Sequence, residues 1–126
     1  MDFKKLIAYQ KSFDLAMSIF EVSKSFPKEE TYSLTDQIRR SSRSVPANIA
    51  ESYRKRKYPK HFISKLTDAD GENSETNTWL DFALACNYIN KDEYIKFVSE
   101  TTEIGKLINY MINLYHQIFH FFLFRL

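Results

Sequence analysis

Arg39, Arg40, Arg43 and Arg54 are spaced so that, at about 100° per residue, they fall on one side of a helix with Ala47 and Ala50 between them. A row of guanidinium groups does one kind of chemistry well, which is charge-assisted and often bidentate hydrogen bonding to phosphates or carboxylates. The two alanines allow close approach, and Lys55 and Arg56 prolong the row. Phosphate backbones and the acidic face of another subunit both fit it, with a solvated charged face as the plain alternative. His116 and His120, four apart, have a spacing that can hold zinc, but no carboxylate or thiol in the adjacent turns completes a site, so no metal is expected. There is no Gly-rich phosphate loop, no Cys pair and no readable group of nucleophile, base and orienter. Neither a cofactor nor a small-molecule substrate is expected.

Arg56 and His61, an arginine and a histidine separated by four residues, resemble the catalytic motif of small all-α ribonucleases of the HEPN class. The pattern is short, Pro59 interrupts it at a helix start, and Lys57 stands where that class has a polar amide or an acid. A basic loop with a surface histidine accounts for the same residues, and the chain is read as a non-enzyme, with the ribonuclease as an alternative.

The elements that must position these groups are helical. A chain of 126 residues with 2 Gly and 3 Pro lacks the turn residues of a β meander, and its length suits one domain over residues 1–126. A lone cysteine, Cys86, excludes an internal disulfide, and MDFKKLIAYQKS lacks the apolar stretch of a signal peptide, so a cytoplasmic protein is expected. Polar residues interrupt the apolar C-terminal segment well before the roughly 18 clean residues of a membrane span. Residues 1–60 carry 13 Lys and Arg against 7 Asp and Glu, net +6, whereas residues 61–126 carry 5 against 9, net −4. That asymmetry favours complementary contacts within the chain or between copies.

Hydrophobic spacing predicts helices over about 3–25, 28–57, 59–88 and 91–118. In the first, Leu6, Tyr9, Phe13, Ala16, Met17 and Phe20 read as the core stripe, leaving Leu15, Ile19 and Val22 on nearly the opposite side to meet another subunit. Pro27 with Glu29 and Glu30 suits the first turn of the second helix. There Leu34, Ile38, Val45 and Ile49, bordered by Ser41, Ser42 and Ser52, stay in phase across Pro46, which predicts one helix kinked at the proline rather than two. Asn48 and Glu51 lie off that stripe and are expected to tie the helix to a neighbour. The third helix turns Phe62, Leu66, Ala69, Asn73, Leu80 and Leu84 inward. Asp70, Asn73 and Asn77, on or beside that side, need partners from the serines of helix 2 or a tyrosine, unless this section is less buried. Its other side passes from Asp68, Glu72 and Glu75 to Trp79, Phe82 and Cys86, an interface strip with an acidic end. Asn90 and Glu93 form a capping signal for the fourth helix, whose seam runs from Tyr94 to Tyr115. The aromatic tail, residues 116–126, either extends that helix into an oligomer contact or stays loose.

FPKEETYSLTDQIRRSSRSVPANIAES (residues 26–52) and SKLTDADGENSETNTWLDFALACNYI (64–89) together resemble the four-helix-bundle family of proteins encoded in intervening sequences of bacterial 23S ribosomal RNA genes. Phe26-Pro27, Glu30, Tyr32, Leu34, Gln37, Arg39-Arg40, Ser44, Pro46, Asn48-Ile49-Ala50-Glu51, Glu75, Ala83 and Tyr88-Ile89 stand in family order, and Ser52 and Asn87 depart from it where glycine is frequent. The resemblance implies an all-α, antiparallel up-down-up-down bundle that assembles as a homopentamer, with no established catalysis and no cofactor. A similar bundle is the accessory protein of diversity-generating retroelements, which binds a reverse transcriptase. The expected partners are thus other copies of the chain and RNA, DNA or a nucleic-acid enzyme. The binding residues would be Arg39, Arg40, Arg43, Arg54, Lys55 and Arg56, and the subunit contact Leu15, Ile19, Val22, Asn48, Glu51, Glu72, Glu75, Trp79 and Phe82. A second reading spends the arginines on Asp68, Glu72 or Glu75 of the next subunit, making the protein a scaffold.

Overall fold

The computed structural model describes the backbone of residues 6–125 and the side chains of residues 6–116. Four helices follow one another, α1 (Ile7–Ser23), α2 (Leu34–Arg54), α3 (Pro59–Ala85) and α4 (Lys91–Arg125), with a 3-10 turn at Lys28–Glu30 between the first two. Each packs on the next and α4 returns to α1, whereas among the described residues the backbones of the diagonal pairs do not approach one another. Cross-helix contacts set the register. Arg39 meets Ser23 and Arg43 meets Phe20 between α1 and α2; Ser41 meets Thr76 and Glu51 meets Lys65 between α2 and α3. Asp81 meets Tyr94 and Asp70 meets Asn109 between α3 and α4. Within each pair of helices the residue number rises on one as it falls on the other.

Most inward positions are those the spacing predicts. Leu34, Ile38, Val45 and Ile49 are buried along α2 with Ser41, Ser42 and Ser52 beside them, and the helix runs unbroken through Pro46. Phe62, Leu66, Ala69, Asn73 and Leu80 are buried on α3, and Phe97, Thr101, Ile104 and Ile108 on α4. The reciprocal capping box at the start of α4 is complete: the Asn90 amide donates to Glu93 Oε1 at 2.9 Å and the Glu93 amide to Asn90 Oδ1 at 2.8 Å.

The first helix reverses the expectation only in part, since Ala16 is buried and Leu6 and Tyr9 pack against the core as expected. Leu15 and Ile19 are 4% and 0% exposed, and Val22 packs against the same core, so none of the three is left for another subunit. Phe13 and Met17, expected inside, are 47% and 45% exposed. The buried residues of α1 are Ala8, Ser12, Leu15, Ala16, Ile19 and Ser23. Its two serines bury without penalty because each hydroxyl donates to a carbonyl three residues back, Ser12 to Tyr9 and Ser23 to Phe20. Small residues there bring neighbouring helices close, and the bulkier aromatics are displaced to the flank.

Element ends differ as well. The second helix begins at Leu34 rather than near residue 28, because bonds between residues three apart close the intervening chain: Glu30 to the Pro27 carbonyl, Thr31 to Lys28, and Ser33 to Glu30. The Ser33 hydroxyl also donates to the Glu30 carboxylate at 2.6 Å. The third helix stops at Ala85 because Asn87 adopts φ 61°, with its amide on the Leu84 carbonyl and the Tyr88 amide on the Ala83 carbonyl, the two bonds of a Schellman cap. The fourth helix continues past residue 118 to Arg125. Residues 3–5, expected in α1, and the side chains of the tail from residue 117 lie outside the described residues. No described helix is long and apolar enough to cross a membrane.

Of the awkward polar residues of α3, Asn73 is buried while Asp70 and Asn77 are half-buried, and their partners come from α4 rather than α2. The Asn73 amide donates to the Thr101 carbonyl at 2.8 Å beside Gly105, where a Cβ would just touch Asn73 Nδ2 at 3.4 Å. The Thr101 hydroxyl donates to Asn77 Oδ1 at 2.6 Å, and Asn109 donates to Asp70. The serine of α2 that does contribute, Ser41, accepts from Thr76 at 2.9 Å.

Candidate functional site

Burial of Ile38, Val45 and Ile49 turns the arginine side of α2 outward, but its members meet different ends. Arg40 is consumed inside the protomer. Its Nη1 is 3.2 Å from Glu72 and its Nη2 contacts Glu75, both on α3. The Glu72 hydrogen bond, ahead of the charges of the two glutamates, holds the guanidinium proton more tightly than usual. Glu72 and Glu75, expected opposite arginines of another subunit, therefore already have a partner. Arg39 is half-buried: its Nε donates to Ser23 Oγ at 2.7 Å and its guanidinium lies 4.7 Å from the centre of the Phe20 ring. Arg43 lies 4.9 Å from that same ring but stays exposed, so one aromatic of α1 is flanked by two cations of α2.

Asn48 donates to the Ser44 carbonyl of its own helix at 2.9 Å, and Glu51 is 3.7 Å from Lys65 of α3, so both are engaged within the protomer. Trp79 packs against the protomer's own core rather than standing in an open strip. Its ring is 5.8 Å from that of Phe82, which is exposed.

The cations gather instead at the turn from α2 to α3. Arg54, Lys55, Arg56, Lys57 and Lys60 are all exposed, and no acid occurs between Glu51 and Asp68. Among the described residues no carboxylate pairs with Lys55, Lys57 or Lys60, since the two acids that flank the run, Glu51 and Asp68, both lie against Lys65. Arg56 is held by neutral groups, 4.2 Å above the Tyr53 ring with Nη1 donating to the Tyr53 carbonyl at 2.9 Å, so its charge is not cancelled. The turn itself is firmly built. Lys55 donates its amide to the Glu51 and Ser52 carbonyls, Tyr58 to Lys55 at 2.8 Å, and Phe62 to Tyr58 at 2.9 Å. From α4 the Tyr115 hydroxyl donates to the Arg56 carbonyl at 2.8 Å while its ring stacks on Phe62 at 4.2 Å.

Arg56 lies on Tyr53, and the ring of His61 stands perpendicular to that of Tyr58 with centres 6.2 Å apart. His116 is exposed, His120 falls outside the described side chains, and no group of three or more His, Cys, Asp or Glu gathers among the described residues. Sequence reasoning passed over Lys57, Tyr58 and Lys60. The signal for them was present in RKRKYPKH, residues 54–61, a basic run with an aromatic and no acid.

A family model described as 23S rRNA-intervening sequence protein matches residues 4–110. Among solved structures, the crystal structure of a protein of unknown function from the S23 ribosomal protein family of Bacteroides thetaiotaomicron VPI-5482 is 31% identical. It covers 90% of this chain and 99% of its own length with a TM-score of 0.78. Comparison with curated proteins gives no match.

Proposed function

Because the chain belongs to the 23S rRNA-intervening sequence protein family, we propose that it is a non-catalytic, self-associating helical bundle that binds the phosphate backbone of nucleic acid through the turn joining α2 to α3. The observation that carries this reading is the set of exposed lysines at that turn, Lys55, Lys57 and Lys60, whose charges no carboxylate among the described residues cancels. Like charges crowded on a built turn repel one another, and an anionic partner relieves that repulsion while releasing its own counterions. The arginines that looked most specific in the sequence contribute less, because Arg40 and Arg39 are spent on α3 and α1.

Self-association has a separate support. The register set by Ser23 with Arg39 and Phe20 with Arg43 carries exposed Phe13 and Met17 alongside Ala47 and Ala50 of α2, an apolar strip between Arg43 and Arg54. A shallow hollow there is lined by Ala47, Ala50, Glu51, Arg54 and Lys55. We take this face, rather than Leu15, Ile19 and Val22, as the contact between copies, with five copies implied by the resemblance.

Binding of a structured RNA measured between 50 and 200 mM salt tests the phosphate reading. The affinity should fall steeply with salt, and changing Lys55, Lys57 and Lys60 together to Gln should flatten the log–log slope by about 2 to 3. Arg40→Ala should leave binding within about twofold, since that guanidinium already has its anions. An affinity and slope indifferent to the triple change would overturn the proposal.

A further inference from the structure

The basic turn carries one feature that phosphate binding does not use. Tyr58 stands among Lys55, Lys57 and Lys60 and is 59% exposed, with the ring of exposed His61 perpendicular to its own and 6.2 Å away between centres. Its backbone is nonetheless fixed, by the bond of its amide to the Lys55 carbonyl and of the Phe62 amide to its own carbonyl, and the turn is pinned from α4 by Tyr115. An aromatic ring left in water on a rigid, cationic platform costs hydrophobic exposure with no return inside the protomer. Tyr32, more exposed still, differs in that Glu29 and Glu30 precede it.

From this juxtaposition we infer that the turn selects single-stranded nucleic acid, an unpaired base stacking on Tyr58 while the adjacent phosphates lie against Lys55, Lys57 and Lys60. Every base offers a π face, and a ring flanked by cations reads strand state rather than sequence. A duplex keeps its bases stacked on one another, so it can use the lysines but not the ring. The inference rests on the phosphate reading above and adds the class of strand.

Fluorescence anisotropy with a labelled 12-nucleotide oligouridylate, the matching oligothymidylate and a 12-base-pair RNA duplex separates the two. Tyr58→Ala should weaken binding of both single strands by roughly tenfold and leave the duplex within about twofold, whereas Tyr58→Phe should bind as the parent does. Tyr58 caps α3 without a side-chain hydrogen bond, so neither change should disturb folding, which far-ultraviolet circular dichroism checks. Equal weakening of single strands and duplex by Tyr58→Ala, or no weakening of either, overturns the single-strand inference while leaving phosphate binding intact provided that the triple lysine variant still loses affinity. If the triple variant binds like the parent, or the parent binds no probe, the phosphate reading falls and this inference with it.

Discussion

Asn87 sits at φ 61°, a conformation in which a side chain is crowded and glycine is not, although asparagine bears it better than other residues. Asn87→Gly should therefore raise stability by about 0.5–1 kcal/mol, read as a higher urea midpoint at unchanged slope. Arg40 is the opposite case, a residue whose removal leaves something behind. Its side chain is 45% exposed, so the pair with Glu72 and Glu75 is worth little per contact, but truncation would set two carboxylates beside each other with no cation between them. Arg40→Ala should cost about 1 kcal/mol, less at high salt, in a thermal or urea melt. Neither residue's situation could be read from spacing alone. The asparagine showed only as a departure from a glycine pattern, and the arginine's anions lie 32 and 35 positions away on a helix whose register the sequence does not state.

Elements were legible where periodicity and capping agreed. On α2 the apolar residues are few and flanked by serines, so only one side could be inward, and burial of Ile38, Val45 and Ile49 on both sides of Pro46 followed. On α1 two apolar rows compete, and volume points to the wrong one, because the helix closes on its neighbours through Ser12 and Ser23 while Phe13 and Met17 stay outside. The start of α2 was misplaced for a similar reason, since Glu30 reads as a helix-start acid but is used as an acceptor. It takes the Ser33 hydroxyl, and Tyr88 of the α3–α4 connection stands near enough to influence its carboxyl. The Ser33 bond first and the Tyr88 hydroxyl second hold its carboxyl below the ordinary 4.5. A lowered folded-state value means that the stabilisation is present above the unfolded value and is lost as pH falls through the folded one. Glu30→Gln should thus show a smaller loss of urea midpoint between pH 6 and pH 3 than the parent chain, with near-ultraviolet circular dichroism confirming the native fold at pH 6. Tyr88 gives the alkaline counterpart. Loss of water around its hydroxyl and then the Glu30 carboxylate push it up to about 12, so its contribution is intact below 10 and fades as pH rises towards 12.

At the scale of the molecule, the charge imbalance between the two halves of the sequence resolves into a place. Part of the positive excess is cancelled across the α2–α3 contact by Glu72 and Glu75, and Arg54, Lys55, Arg56, Lys57 and Lys60 cluster at the turn where α2 gives way to α3. That placement sets the lysine turn at one end against the apolar side formed by α1 and α2, with Lys55 at the border of the two. If the side of the bundle joins copies and the turn holds phosphate, the two activities must come apart under mutation. Phe13→Glu with Met17→Glu places two like-charged groups on a surface that must be dehydrated to pair, yet both positions are already half in water, so the protomer's fold should survive. Light scattering after size exclusion should show the mass falling from a multiple of 15.0 kDa towards the single chain, with helicity unchanged. Each freed protomer keeps its lysine turn, so its affinity for a short oligonucleotide spanning one turn should change little, while affinity for a long strand should drop because several turns no longer share it. An unchanged mass would remove this face as the contact between copies, and a short-oligonucleotide affinity that collapses together with the mass would show that the phosphate site is built between subunits rather than on one.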